Sequence, residues 1–442
     1  MNIWLLSSEV PWHEAGGIGR YCLNFATALG KAGHSITWLG FSNREIDREL
    51  APGVRVIELM PPARDLIRTE HKGAPDQHPA WPYNLLSEQA ARSWQMAEAC
   101  KRLLDNGPHP DLIESQEFRG LPYDLLQHKL VNRSPLDRIP VLVQLHSPSF
   151  ALKRINHQAS YRFPHYWTGQ MEKFSLLAAD ALLSPSLFLA EAMRRQLKQD
   201  LDIQSIPYPV SLPELTAVEK PANKELIYFG RLELRKGVLP LVRACARMWA
   251  RGDEFTLTLI GGDTDYTPRN TTVATFIRQR FARWIENGRL VLTGEMPHEA
   301  VQQRLQQAWG VVIPSLWENF PNTCIEAMAI GQLVIASRSG GQAEMIETDG
   351  VNGLLYDWNV DGDCERQLER ALHMPLAQRA EIGQRARQRI LSICDPARVV
   401  QQRLDHYEEI IHRYKPRRSF PVINPMPEKT QALMAPAETT TD

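Results

Sequence analysis

Cysteine is scarce in this 442-residue sequence, and scattered: Cys22, Cys100, Cys245, Cys324, Cys364 and Cys394 are the whole complement. No CxxC-type zinc or redox motif can be drawn from that spacing, so reduced core thiols and a cytoplasmic compartment are expected. An excess of charge is missing too. Lys plus Arg total 50 against 51 for Asp plus Glu, which removes the bulk electrostatic ground for a nucleic-acid binder. No segment reaches the ~18 apolar residues of a spanning helix, and the first residues lack a basic, apolar leader pattern. The expectation is a soluble chain, at most peripheral at the inner face of a membrane. No short repeat period occurs, which speaks against a solenoid. The dinucleotide fingerprint is also incomplete: Gly17 and Gly19 are followed by Cys22 rather than a third glycine, and no acid follows Trp38-Leu39-Gly40. A hydride-transfer enzyme is therefore disfavoured.

What is present is a βαβ rhythm. "NIWLLSS", "HSITWLG", "GVRVIEL", "DLIES", "PVLVQLH" and "DALLSP" read as strands separated by crossover-length stretches. Such runs imply a buried parallel sheet. From Ile203 to Lys224 the text turns proline-rich and loses helical periodicity. The rhythm then restarts with "LIYFGRL", "FTLTLIGG", "RLVLTGE", "GVVIPS", "QLVIAS" and "NGLLYD". The length exceeds one ordinary core, so the fold class is α/β with two Rossmann-like, doubly wound parallel-sheet domains facing a cleft. The boundaries are an N-terminal domain at 1–207, a linker at 208–223 and a C-terminal domain at 224–394. A charged helix at 395–415 and a polar, proline-containing tail at 416–442, expected to be disordered, complete the chain.

In two such sheets, ligands sit outside the carboxyl ends of the strands. The first strand runs into "AGGIGRY", where Gly16 and Gly17 either offer backbone N–H groups to an anion at a helix start or simply make a tight turn. "VLVQLH" delivers His146 to the same rim. In the second domain "YFGRLELRKG" puts Arg231 and Lys236 ahead of a helix, where they read as a diphosphate cradle or as surface charge. "GVVIPSLWENFPNTCIEA" places Glu318 in a loop and Glu326 in the second turn of a helix that starts near Pro321. Helical side chains lean toward the N-terminus, so both carboxylates can meet sugar hydroxyls, with the N–H groups near Asn322 and Thr323 left for a phosphate oxygen. The competing use is a metal pair, but no His or Asp joins them at ligand spacing.

The ordered set "AGGIGRY", "LHSPS", "ADALLSPS", "FGRLELRKG" and "IPSLWENFPNTCIEA", with "SRSGGQAEMIETDGVNGLLYD" after it, resembles the GT4 family of retaining glycosyltransferases, which have the GT-B fold. The resemblance covers nearly the whole chain. It implies that Gly16 and Gly17 face the donor β-phosphate, that Arg231 and Lys236 neutralise the departing diphosphate, and that Glu326 binds the ribose. Glu318 would hold the donor sugar, Phe320, Pro321 and Asn322 would touch sugar or phosphates, and Glu295 and Met296 would border the base. His146 would contact the sugar near the reacting carbon. The reaction implied is transfer of a sugar from a nucleotide-diphosphate sugar to a glycan, glycolipid or lipid-linked acceptor, in polysaccharide-type assembly, with no cofactor and no metal. Catalysis of a different reaction on the same fold, by an epimerase or phosphorylase, and a catalytically silent nucleotide-sugar sensor or scaffold are the alternatives. Many relatives carry Glu-Gly-Phe-Gly or Glu-Pro-Phe-Gly where this chain has Glu318-Asn319-Phe320-Pro321, so Asn319 is expected to reshape the sugar pocket. On the acceptor side, Glu117 is expected on the rim to orient a hydroxyl. Arg154, Tyr161 and Arg162 belong to loops that mix cations with aromatic faces. The stretch 263–284 is longer than a minimal turn and helix, and no role is assigned to it.

Overall fold

The computed structural model describes residues 1–10, 12, 17–61, 86–131, 135–210 and 223–416. Two open sheets organise them. In the first, β1 (Asn2–Leu6), β2 (Ser35–Phe41), β4 (Val54–Leu59), β5 (Leu112–Gln116), β6 (Val141–Gln144), β7 (Ala181–Ser184) and β8 (Ile203–Ser205) are parallel. Their order is β4-β2-β1-β5-β6-β7-β8, and β3 (Ile46–Ala51) pairs antiparallel on the outer edge. That edge strand is missing from the sequence reading because "IDRELA" carries charge rather than a hydrophobic period. Such charge blunts a sheet edge against further pairing.

The second sheet holds β9 (Glu225–Phe229), β10 (Thr256–Ile260), β13 (Leu290–Gly294), β14 (Gly310–Ile313), β15 (Val334–Ser337) and β16 (Leu354–Tyr356). Its order is β13-β10-β9-β14-β15-β16, the 3-2-1-4-5-6 doubly wound arrangement. The strand order therefore reverses between β1 and β5 in one sheet and between β9 and β14 in the other. Each reversal is a topological switch point, the place where open α/β sheets bind their ligands. The central strands are fully buried, as a sheet covered by helices on both faces requires; β14 is apolar throughout, whereas β5 (LIESQ) also buries Glu114, Ser115 and Gln116.

The stretch 263–284 forms a short hairpin, β11 (Asp265–Tyr266) with β12 (Thr271–Thr272), followed by helices Val273–Arg280 and Ala282–Glu286. Asp263 starts it by accepting the Ala274 N–H at 2.8 Å, and Thr264 ties it to the carbonyl of Leu232 at 2.6 Å. It thus braces the turn after β9. Among the described residues, no helix is long and apolar enough to cross a membrane.

The helix Pro396–Arg413 packs on the N-terminal domain. Its Arg403 is fully buried and pairs with Glu114 of β5 at 3.0 Å, while bonding Gln144 of β6 at 2.6 Å. Tyr407 and Tyr21 also hydrogen-bond to Glu114. Burial opposes the charge on Arg403, but Glu114 outweighs it and raises the guanidinium above its ordinary range. One apolar cluster runs from Ile3 and Phe25 through Tyr208 to Phe229 and Phe320, so the two domains share part of a core.

Candidate functional site

Gly237 has φ +72°, and a β-carbon there would lie 1.8 Å from the carbonyl oxygen of Pro314. Glycine alone lets the turn Leu234–Lys236 press on the end of β14. The carbonyl of Arg235 then accepts the Leu316 N–H at 2.8 Å, which sets the loop carrying Glu318. Gly341 serves the same end from the other side: a β-carbon would come within 1.8 Å of the Asn319 carbonyl, and its N–H donates to the Glu318 carbonyl at 3.0 Å.

Glu318 is buried, and its Oε1 takes two cations at once, Arg235 at 2.5 Å and Lys236. Burial alone would raise this carboxyl. The charges of Lys236 and Arg235 outweigh it and hold the group at about 2, so it stays ionised. Arg235 is itself buried and reaches Glu233 at 2.9 Å.

Arg231 does not join this centre. Its side chain is 64% exposed and rests 3.2 Å from Glu233, so Arg231 and Lys236 do not share a partner. The cation that sequence reasoning missed is Arg235, which sits among several basic residues and carries no distinguishing local signal. Glu318 is likewise not an open pair of acceptor oxygens, because its Oε1 is occupied.

Across the cleft His146 is buried and backed by aromatics. Its Nδ1 lies 2.7 Å from the Tyr208 hydroxyl, the Tyr208 ring stacks on it, and Tyr21 meets it edge-on. Nε2 is buried and has no hydrogen-bond partner among the described residues. Burial, with the nearby charge of Arg403, pushes the imidazole down to about 3, so it is neutral at working pH.

The rim position expected for Glu117 is not what the structure shows. Glu117 is fully buried, and its carboxylate accepts the His146 N–H at 2.8 Å and the Ser147 N–H at 2.6 Å. It orients the His146 backbone rather than an acceptor hydroxyl. Burial pushes it up to about 8 against the pull of those donors.

Three polar bridges close the cleft. Asn319 donates to the His146 carbonyl. Asn156 donates to Glu233 at 2.5 Å and accepts the Arg235 N–H. Glu344 accepts the N–H groups of Leu187 and Phe188 at the start of the helix Leu187–Leu197. Asn319, flagged as a departure in sequence, is thus a domain-bridging residue.

The remaining donor-side positions fall into place around this centre. Gly16 lies outside the described residues. Gly17 begins the helix Gly17–Lys31, where the Glu9 carboxylate accepts the Gly19 N–H at 2.9 Å. Phe320 is buried with Tyr208 edge-on to it. Pro321 is the N-cap of the helix Asn322–Ala329, close to the expected start, and Asn322 is exposed at its first position. Glu326 is half-buried and accepts from Gln302 at 3.1 Å, whereas Glu318 engages Arg235 and Lys236. Glu295 lies over Gly262, and half-buried Met296 packs on the apolar cluster. Arg154, Tyr161 and Arg162 are exposed, with Arg162 over the Tyr161 ring. Among the described residues no group of three or more His, Cys, Asp or Glu could hold a metal ion.

Comparison with known proteins matches residues 15–212 to the family described as Glycosyltransferase Family 4 and residues 216–389 to Glycosyl transferases group 1. A glycogen synthase of Mycobacterium tuberculosis is 24% identical over 78% of this chain and 80% of its own length. The structure of sucrose-phosphate synthase from Thermosynechococcus elongatus superposes with a TM-score of 0.68 at 23% identity, over 93% of this chain and all of that one. The catalytic domain of starch synthase IV from Arabidopsis thaliana, bound to ADP and acarbose, superposes at 0.64 with 15% identity, over 93% of this chain and 99% of that one.

Proposed function

We propose, from the premise that this chain belongs to glycosyltransferase family 4 and is a hexosyltransferase of GT-B fold, that it transfers a sugar from a nucleotide-diphosphate donor with retention and without a metal. The observation that carries the reading is the ion centre at the second switch point, where Glu318 holds Arg235 and Lys236 at the carboxyl ends of β9 and β14. Cleaving a sugar–phosphate bond builds negative charge on the β-phosphate. Cations gathered at that point stabilise the charge as it develops. Lys236 shares a carboxylate that Arg235 also neutralises, so it can turn to a phosphate without stranding Glu318. Arg231, on the rim, adds a second mobile cation.

Retention by double displacement would require a carboxylate nucleophile. Glu318, held at about 2 and bound by two cations, is a poor one. The reading therefore assigns no enzymic nucleophile: the leaving phosphate takes the acceptor proton on the same face of the sugar. Neutral His146 offers Nε2 to a donor hydroxyl, its ring held by Tyr208. The anomeric configuration of the product, read by NMR, tests this, and an inverted product would overturn it. The six free, buried cysteines accord with action in the cytoplasm.

Two measurements check the donor side. In a thermal-shift panel of UDP, GDP, ADP and their sugars, one nucleotide at a hundred times its dissociation constant should stabilise the protein by roughly 2.7 kcal/mol. Glu326→Ala should diminish that shift if its carboxylate binds the ribose, and an equal shift in both proteins would remove the assignment. Turnover should persist in EDTA, because Arg231 and Lys236 are the proposed counter-charges. A complete loss restored by a divalent ion would sink the metal-free reading.

A further inference from the structure

The chain leaves the N-terminal domain through Ile206 to Val210, and the two ends of that stretch are tied to different domains. The Ile206 N–H donates to the carbonyl of Ser184, at the end of β7, at 2.9 Å. The Val210 N–H donates to the carbonyl of Cys394, the last residue of the helix Leu376–Cys394, at 3.0 Å. Tyr208 lies between these anchors. Its ring is buried among aromatics from both sides of the cleft: it sits tilted 4.9 Å from Tyr21, stacks at 5.6 Å on His146 and meets Phe320 edge-on at 5.9 Å.

A tyrosine so confined brings one polar atom with it, and that atom is spent on His146. The hydroxyl lies 2.7 Å from His146 Nδ1, and among the described residues it has no other partner. Glu117, the acid whose charge reaches Tyr208, accepts the N–H groups of His146 and Ser147 instead. Burial holds the phenol well above its ordinary range, so it keeps its proton. A phenol is a stronger donor than an imidazole N–H, and an imidazole nitrogen is a stronger acceptor than a phenol oxygen. Donation from Tyr208 to Nδ1 therefore pairs the stronger member of each kind. The proton of the neutral ring is then left on Nε2.

The other polar groups of His146 are taken. Its N–H goes to Glu117 at 2.8 Å, and its carbonyl accepts from Asn319 of the C-terminal domain and from the Ser147 hydroxyl. Nε2 is left buried without a partner among the described residues. A buried donor left open costs free energy, so it marks where an acceptor atom enters.

We infer that Tyr208 is a positioning residue: its hydroxyl holds His146 as the Nε2–H tautomer, so that His146 donates a hydrogen bond to an oxygen of the donor sugar and does not accept one. This deepens, and rests on, the transfer reaction proposed above. Because the linker supplies the hydroxyl, the imidazole of one domain is set by the segment that leads to the other.

The test reads the tautomer on the full chain labelled with nitrogen-15 histidine, with His146 picked out of the 13 histidines by its absence from His146→Gln. Long-range proton–nitrogen spectra should show Nε2 protonated and Nδ1 bare. Tyr208→Phe keeps the stacked ring and removes the hydroxyl, so the Nδ1 signal should shift and the second tautomer appear. With the nucleotide sugar, the same variant should lose about tenfold in kcat/KM, the worth of one hydrogen bond, while binding the nucleoside diphosphate as the parent does. His146→Gln puts an amide N–H near the place of Nε2. In that background Tyr208→Phe should cost less than about twofold, because the residue it acts through is gone. A parent ring protonated on Nδ1, a spectrum that Tyr208→Phe leaves unchanged, or an equal loss in both backgrounds overturns the inference. Should Tyr208→Phe fail to fold, the parent spectrum alone decides the tautomer. If no nucleotide sugar is turned over, the transfer reading fails, and the spectra still decide whether Tyr208 sets His146.

Discussion

Lys236→Ala should lower turnover by about 10²–10³-fold, the loss seen when one preorganised electrostatic donor is removed. Glu318 is the reason. Its buried carboxylate is shared by two cations, and Arg235 is the deeper, tied also to Glu233 and to the 316–318 loop through its carbonyl. Arg235 is therefore structural ballast for the charge. Lys236, on a flexible stem and 17% exposed, is the cation free to exchange partners. Removing it leaves Glu318 neutralised and the loop in place, so the loss should fall on kcat with little change in folding. Lys236→Arg should recover part of the rate, because the charge is kept while the point-like geometry is not. Adding Arg231→Ala should deepen the loss. Turnover unchanged in the double variant would remove the cradle, and a large fall in melting temperature on Lys236→Ala alone would show that Arg235 does not suffice to hold Glu318.

Arg403→Met should destabilise the protein by about 3–5 kcal/mol, the cost of breaking a buried pair by removing one partner. Glu114 would then be a buried carboxyl without its cation, accepting among the described residues from Tyr21 and Tyr407. The readout is the melting temperature, expected to fall by several degrees. Glu114→Gln in the Arg403→Met background should restore much of the loss, since no uncompensated charge remains. If Arg403→Met melts with the parent, the pair is not what fastens the C-terminal helix to the N-terminal domain. The same change should reach the candidate site, because Arg403 bonds Tyr21 and lies over its ring, and Tyr21 meets His146 edge-on. A drop in kcat measured well below the melting transition would report that link.

Much of the molecule is legible in the linear text. Six short, largely apolar runs in each half, punctuated by glycine and proline, specify two doubly wound sheets, because a strand covered on both faces is mostly apolar and tolerates a polar residue only where a partner satisfies it, as Arg403 does Glu114. The family resemblance rested on the same segments, and the comparisons match them across both halves of the chain. Where the reading failed, the residues involved carry no period of their own. β3 is a charged edge strand, and β8 is three residues inside a proline-rich stretch. Glu117 looked like a rim acid because it follows a strand, yet the turn folds its side chain inward under His146.

The sequence by itself determined the α/β class, the family and which residues stand at strand ends: Gly17, His146, Arg231, Lys236 and Glu318. Hydrophobic period and helix-start chemistry are local properties, spelled out within a few residues of each position. Only the tertiary structure decided which cation Glu318 buries with, an Arg235 lying 83 residues away, and that Glu114 is neutralised from 289 residues away by Arg403. Partner choice for a buried charge depends on which segments the sheets and crossings bring together. The penalty for leaving such a charge alone is settled by the solvent excluded there, a quantity that no stretch of sequence contains.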